Sequence, residues 1–301
     1  KDVTLVDCVI QGNIRNYGTG EVRFEAPQIT PESTAAKPSE VYKPGATLDR
    51  TLEYGGKTVP IYRDRPLNVF SDVDFIWTGE ENENQRRLEY LGGEFRTRYG
   101  IDVSSFQGEI DWDAVADDNI DFAMVRVGFR GTGTGSLNTD KYYEQNIRGA
   151  MRAGLETGVY FFAQAVTVEE AIEEADYVIS LLDGLDINGP VAYDWEMHDS
   201  TYRVYGTSPE MATACAVAFC ERIKDAGYTP MVYGGTYVTY MKYDQGALAD
   251  YLSWYPEYKS EKSEKLCPTL VYHMDYWQFS SSRAVAGING RVDMNIQFIR
   301  R

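Results

Sequence analysis

The chain has 301 residues, with 29 Lys and Arg against 46 Asp and Glu, a formal charge of -17 and an apolar share of 43%. That length suits one large α/β barrel plus a smaller module, and the apolar share can fill a core. The acidic balance excludes a nucleic-acid partner and an anionic membrane surface, since both require clustered Lys and Arg. With 23 Tyr and 5 Trp, rings remain for a binding cleft beyond those a core needs. No apolar run approaches the roughly 20 residues of a membrane span, and the N-terminus carries no signal-peptide pattern. The first residue is Lys1 rather than Met, which leaves room for an export segment removed earlier. Cys8, Cys215, Cys220 and Cys267 show neither CxxC nor zinc spacing and are read as buried thiols; no metal and no cofactor are expected.

In chain order, residues 1–97 predict a small β-rich module, or strands draped on the next domain. Strand-like runs VTLVDCVI, EVRFEA, KTVPIYRD and NVFSDVDFIW flank a connector at 26–48. The Pro, Ser, Thr and Ala of that connector disfavour helix and ladder alike. The polar stretch GEENENQRRLEY closes the module, placing the boundary at 97/98.

After Tyr99 strands alternate with helical segments, the pattern of βα units around a parallel sheet. GIDVS, FAMVRVGF, GVYFFAQ, PVAYDWE, TPMVYGG, YLSWYPEY, TLVYHMDYWQF and RVDMNIQF supply eight strands, and helices are expected over 141–156, 168–182 and 210–226. Thr167 and Glu170 have capping-box spacing, and Ser208-Pro209 places an N-cap before a first-turn proline. The last three strands are joined by loops. The expected fold is an α/β barrel of irregular TIM-like form with a small N-terminal β-rich extension.

The chemistry concentrates in Tyr193-Asp194-Trp195-Glu196. Two carboxylates two positions apart on a strand point the same way, and at the C-terminal end of a barrel strand that way is the active-site mouth. Like charges in a partly dry cleft split into a proton donor and an ionised partner, the pair a glycosidase uses. The same spacing in a solvated loop would be two acids with no further role. Asp102, ending the first strand, and Asp293, in the last, are neighbours if the barrel closes, so four acids converge on one pocket. Arg126 is placed to pair with one of them, in a structural or a catalytic role. His198 and His273 are the only histidines, and neither GxSxG nor HExxH occurs. His198 reads as a loop residue that could touch substrate. The run Gly131–Ser136 lacks the Lys of a phosphate loop, and Asp111 reads as the cap of a short helix.

Over residues 99–301 the chain resembles glycoside hydrolase family 25, the Ch-type lysozymes. The segments that carry the resemblance are GIDVSSFQG, IDW, FAMVRVGFRG, the spaced run from Asp140 to Gly154, GVYFF, AYDWE, PMVYGG, YWQF and VDMN, in that order. It implies a (β/α)5(β)3 barrel, an extracellular or wall-associated setting, and bacterial peptidoglycan as substrate, cleaved between N-acetylmuramic acid and N-acetylglucosamine. It also implies Glu196 as general acid/base, Asp194 as its partner carboxylate, and Asp102 and Asp293 as supporting acids. Tyr160, Tyr233 and Trp277 match aromatic positions around the family's cleft, although each also fits a core position. Trp195 is bulkier than the aliphatic residue expected between the two acids and should face the barrel wall. Residues 1–97 match nothing in the family. A chitinase-like glycosidase and a non-catalytic glycan-binding protein are the alternatives.

Overall fold

The computed structural model describes residues 36–79 and 86–301, together with the backbone of β1 (Val3–Val6) and β2 (Val22–Glu25). Cys8 and the first part of the connector, 26–35, lie outside the described residues. The chain divides into two compact units, Lys1–Ala35 and Ala36–Arg301. In the first, β1 and β2 pair in parallel. The second holds residues 36–97 together with the barrel.

The described part of the connector is not wholly extended: Pro38 opens a one-turn helix, α1 (Pro38–Val41), at the first-turn position where its missing N–H costs nothing. A hairpin follows, β3 (Leu48–Tyr54) with β4 (Lys57–Tyr62). Its two-residue turn needs positive φ at both centres, which Gly55 (57°) and Gly56 (75°) adopt. Alternation buries Val59 and Ile61 of β4. A second hairpin pairs β5 (Phe75–Thr78) with β6 (Arg87–Tyr90) and buries Phe75, Trp77 and Leu88.

The barrel begins at β7 (Phe95–Val103) and continues through α2 (Trp112–Asp117), β8 (Phe122–Arg130), the short β9 (Leu137–Thr139), α3 (Tyr143–Arg152), β10 (Glu156–Ala163), α4 (Val168–Leu181) and β11 (Val191–Trp195). It ends with α5 (Pro209–Asp225), β12 (Pro230–Tyr233), α6 (Thr236–Met241), β13 (Leu252–Pro256), β14 (Tyr276–Arg283) and β15 (Val292–Arg300). Strands β7, β8, β10, β11, β12, β13 and β14 pair in parallel in that order. β15 closes the ring, antiparallel to both β14 and β7. Five strands are followed by a helix and three are not, so the fold is the irregular (β/α)5(β)3 barrel.

Local signals set the helix starts. Asp111 accepts from the Ala114 amide (3.2 Å), Thr167 from Glu170 (3.3 Å) and Ser208 from Met211 (3.2 Å), each satisfying an orphan N–H of a first turn. Gly131–Ser136 is the turn between β8 and β9, closed by a Gly131 N–H bond to the Ser136 carbonyl.

A barrel strand must be covered on its outer face as well as its inner one. β14 and β15 have no following helices, and the β5–β6 hairpin covers their outer faces instead. Phe75 meets Trp277 with ring centroids 5.4 Å apart, and Phe70 meets Phe298 at 4.4 Å and Phe95 at 5.3 Å. The barrel interior holds its own apolar cluster, including Phe122, Met124, Ala192, Met231, Trp254 and Tyr276. Trp195 lies in the outer layer, fully buried, with its indole N–H on the Ala165 carbonyl (3.1 Å).

Candidate active site

The period of two along each strand decides which side chains reach the barrel mouth. Asp102 stands at the C-terminal end of β7, Asp194 at that of β11, and Glu196 one residue past β11. β15 runs the other way, so Asp293 near its start pairs in register with Asp102. All four acids line one cleft of about 330 Å³, together with Arg126, Tyr160 and Tyr233. A larger cavity of about 430 Å³ lies between the β3–β4 hairpin and the start of α5; Tyr42, Tyr62, Tyr240, Tyr243 and Tyr272 are among its lining, and none of the four acids reaches it.

Trp277 is not in the cleft. It is fully buried on the outer face of β14, its indole N–H on the Glu257 carbonyl (3.0 Å) and its ring against Phe75. Its neighbours Tyr276 and Gln278 point inward instead. Rings that the sequence reading missed take its place: Phe106, Trp254 and Tyr258 line the cleft. Alternation in YLSWYPEY and YWQF carries that signal, but only once the register of each strand is known.

Asp102 is buried and held by two amides, Gln278 Nε2 and Asn295 Nδ2, each 2.8 Å from Oδ2. Those amides are oriented in turn. The hydroxyls of Tyr258 (3.1 Å) and Tyr233 (3.3 Å) donate to Gln278 Oε1, and Trp254 Nε1 donates to Asn295 Oδ1 (2.8 Å). Burial lifts Asp102 to about 6 against these bonds, which favour its ionised form. Asp293 is pushed up to about 8, first by burial and then by the charge of Asp102, to which it is hydrogen-bonded. Burial and mutual repulsion thus favour one shared proton on this pair.

Burial raises Asp194 well above the usual carboxylate range, and the neighbouring Glu196 adds to the shift by charge and by a hydrogen bond. Asp194 Oδ1 is buried without a hydrogen-bond partner. Asp194 is the deeper member of the pair, and desolvation acts on it first. Glu196, about one quarter exposed, faces the cleft with Oε2 2.8 Å from His198 Nε2. His198 thus contacts the acid itself, a role its spacing of two residues from Glu196 permitted. Arg126 pairs with none of the four acids: it binds the fully buried Asp140 carboxylate (2.9 Å) and lies 5.1 Å from the Phe106 ring centre. Its charge still acts on Asp194, lowering it against burial.

Comparison with known proteins agrees with this architecture. The sequence profile of glycosyl hydrolases family 25 matches residues 101–288. The chain is 26% identical over 197 residues to the autolytic lysozyme of Clostridium acetobutylicum, covering 65% of this chain and 54% of that protein. It is 27% identical over 201 residues to lysozyme M1 of Streptomyces globisporus, covering 65% of this chain and 66% of that enzyme. The chain thus spans about half to two thirds of these relatives' length. Among solved structures, the bacterial lysozyme of Streptomyces coelicolor aligns with a TM-score of 0.53 at 25% identity, covering 66% of this chain and 90% of that one. With the profile spanning more than half of its residues, the chain belongs to glycosyl hydrolases family 25.

Proposed function

We propose that this chain is a wall-acting muramidase, exported to the cell surface, that cleaves the β-1,4 bond between N-acetylmuramic acid and N-acetylglucosamine in bacterial peptidoglycan. The observation that carries the proposal is the convergence of four carboxylates at the C-terminal mouth of a barrel, with Asp194 and Glu196 side by side in one cleft. Acids gathered in a buried site are costly unless they exchange protons for a purpose.

Glu196 is the general acid/base and Asp194 the stabilising carboxylate. In the free enzyme burial favours the protonated form of Asp194. A glycan whose acetamido N–H donates to Asp194 favours its ionised form, and its proton passes to the neighbouring Glu196. Glu196 then protonates the leaving glycosidic oxygen while ionised Asp194 stabilises the positive charge developing on the sugar or its acetamido group. Asp102 and Asp293, sharing one proton, hold the facing wall of the cleft, and Tyr160 and Tyr233 shape the sugar site.

The test is digestion of purified peptidoglycan followed by mass spectrometry of the new reducing ends. N-acetylmuramic acid at those ends is the expected result. N-acetylglucosamine would mark a glucosaminidase or chitinase-like specificity, and binding without turnover would leave only a glycan-binding protein.

A further inference from the structure

We infer that Gln164 is a positioning residue that aims Glu196, an inference that rests on Glu196 being the acid of the reaction. Glu196 lies just beyond the barrel ladder. Strand β11 ends at Trp195, its register with β10 ends at Ala163↔Trp195, and its register with β12 ends at Asp194↔Tyr233. No strand neighbour therefore holds the Glu196 carbonyl, and the direction of its Cα–Cβ bond depends on what does.

The fully buried Gln164 supplies that hold: its Nε2 donates to the Glu196 carbonyl at 2.7 Å. One residue on, the Ala165 carbonyl accepts from Trp195 Nε1 at 3.1 Å, so the segment after β10 grips the end of β11 at two points. Gln164 is itself fixed from behind. Its backbone N–H donates to buried Glu174 Oε1 (3.0 Å), which also takes Arg130 Nε (2.8 Å). Its carbonyl accepts from Arg203 Nη1 (2.9 Å), and Arg203 is locked by two bonds to Glu170 at 2.7 and 2.9 Å.

The amide cannot be reversed without setting Oε1 against the Glu196 carbonyl oxygen. Oε1 is buried and unpartnered as it stands. Only a group that donates at the Nε2 position can do this work, and Gln164 is absent from the cleft lining, so it acts through Glu196 and not on substrate.

Two variants test the inference on the full chain with a soluble peptidoglycan fragment. Gln164→Met keeps the volume and removes the donor, and kcat should fall at least about tenfold with KM within about twofold, because misaligning a reacting group costs rate more than binding. Gln164→Glu donates only when its carboxyl is neutral. Its kcat relative to wild type should therefore recover as pH is lowered and collapse as pH is raised, a pattern that a merely structural role would not produce. Folded Gln164→Met with kcat within twofold of wild type, or a Gln164→Glu ratio flat with pH, overturns the inference. If Gln164→Met fails to fold, the Gln164→Glu pH series decides alone. If wild type itself does not turn over peptidoglycan, the muramidase reading is what fails, and this inference falls with it.

Discussion

Glu196 and Asp194 are adjacent in chemistry but differ in surroundings, and the difference sets what each substitution should do. Glu196→Gln should leave the fold intact and lower turnover at least about a hundredfold, since general acid assistance contributes 10²–10⁴. A folded variant with more than a tenth of wild-type kcat would remove Glu196 from the role. Asp194→Asn should be impaired as severely yet bind glycan fragments normally, because the ionised form is needed in the transition state. Equal losses of affinity and rate would instead make Asp194 a substrate-holding group. For Asp293 the sign of the pH effect follows from its raised value: the folded protein keeps a proton that the unfolded chain has lost above about pH 4. The stability contributed by the Asp102–Asp293 pair is fully present below that pH and is lost as pH rises through about 6 and then about 8. Asp293→Asn fixes the neutral form, so its Tm advantage over wild type should grow between pH 5 and pH 9 to a few degrees, on the order of 1–2 kcal/mol. A Tm difference constant over that range would place the proton elsewhere.

The elements that carry these residues are stabilised from outside the barrel. β14 and β15 have no following helices, and the β5–β6 hairpin buries their outer apolar faces with Phe75 and Trp77. Phe75→Ala should cost about 3–5 kcal/mol in urea unfolding, the usual range for removing a buried ring. Turnover at 25 °C should stay near wild type, since Phe75 lies behind the wall and lines no part of the cleft. A drop in kcat matching the drop in stability would mean that the hairpin shapes the catalytic face through β14.

At the scale of the whole molecule, a chain at -17 in the proposed role would meet long-range repulsion from a wall that carries anionic polymers. Salt shortens the screening length from about 30 Å at 0.01 M to about 10 Å at 0.1 M, so wall lysis should rise over that interval while cleavage of a short neutral glycan hardly changes. Lysis that fell with salt would require a local basic patch. The arginines near the start of the barrel are poor candidates, because Arg87 pairs with Asp118 (3.0 Å) and Arg98 with Glu156.

Read alone, the sequence was sufficient for the barrel, its helix caps and the four acids, because strand alternation, capping chemistry and a D-x-E at a strand end are local patterns. Thr167, Ser208 and Asp111 act as caps through bonds within four residues, and Asp194 and Glu196 share a face by strand period alone. What lay beyond reach depends on register between distant strands. One step of register separates inward Gln278 from outward Trp277, and only pairing with β15 decides it. The sequence left the hairpins at 48–90 open between a separate module and strands draped on the barrel, because their packing partners lie some 200 residues away, as with Asn68 Nδ2 on the carbonyls of Pro268 and Leu270. The depth of Asp194 relative to Glu196 was likewise settled by tertiary packing, since desolvation depends on every neighbour around a carboxyl and not on its place in the chain.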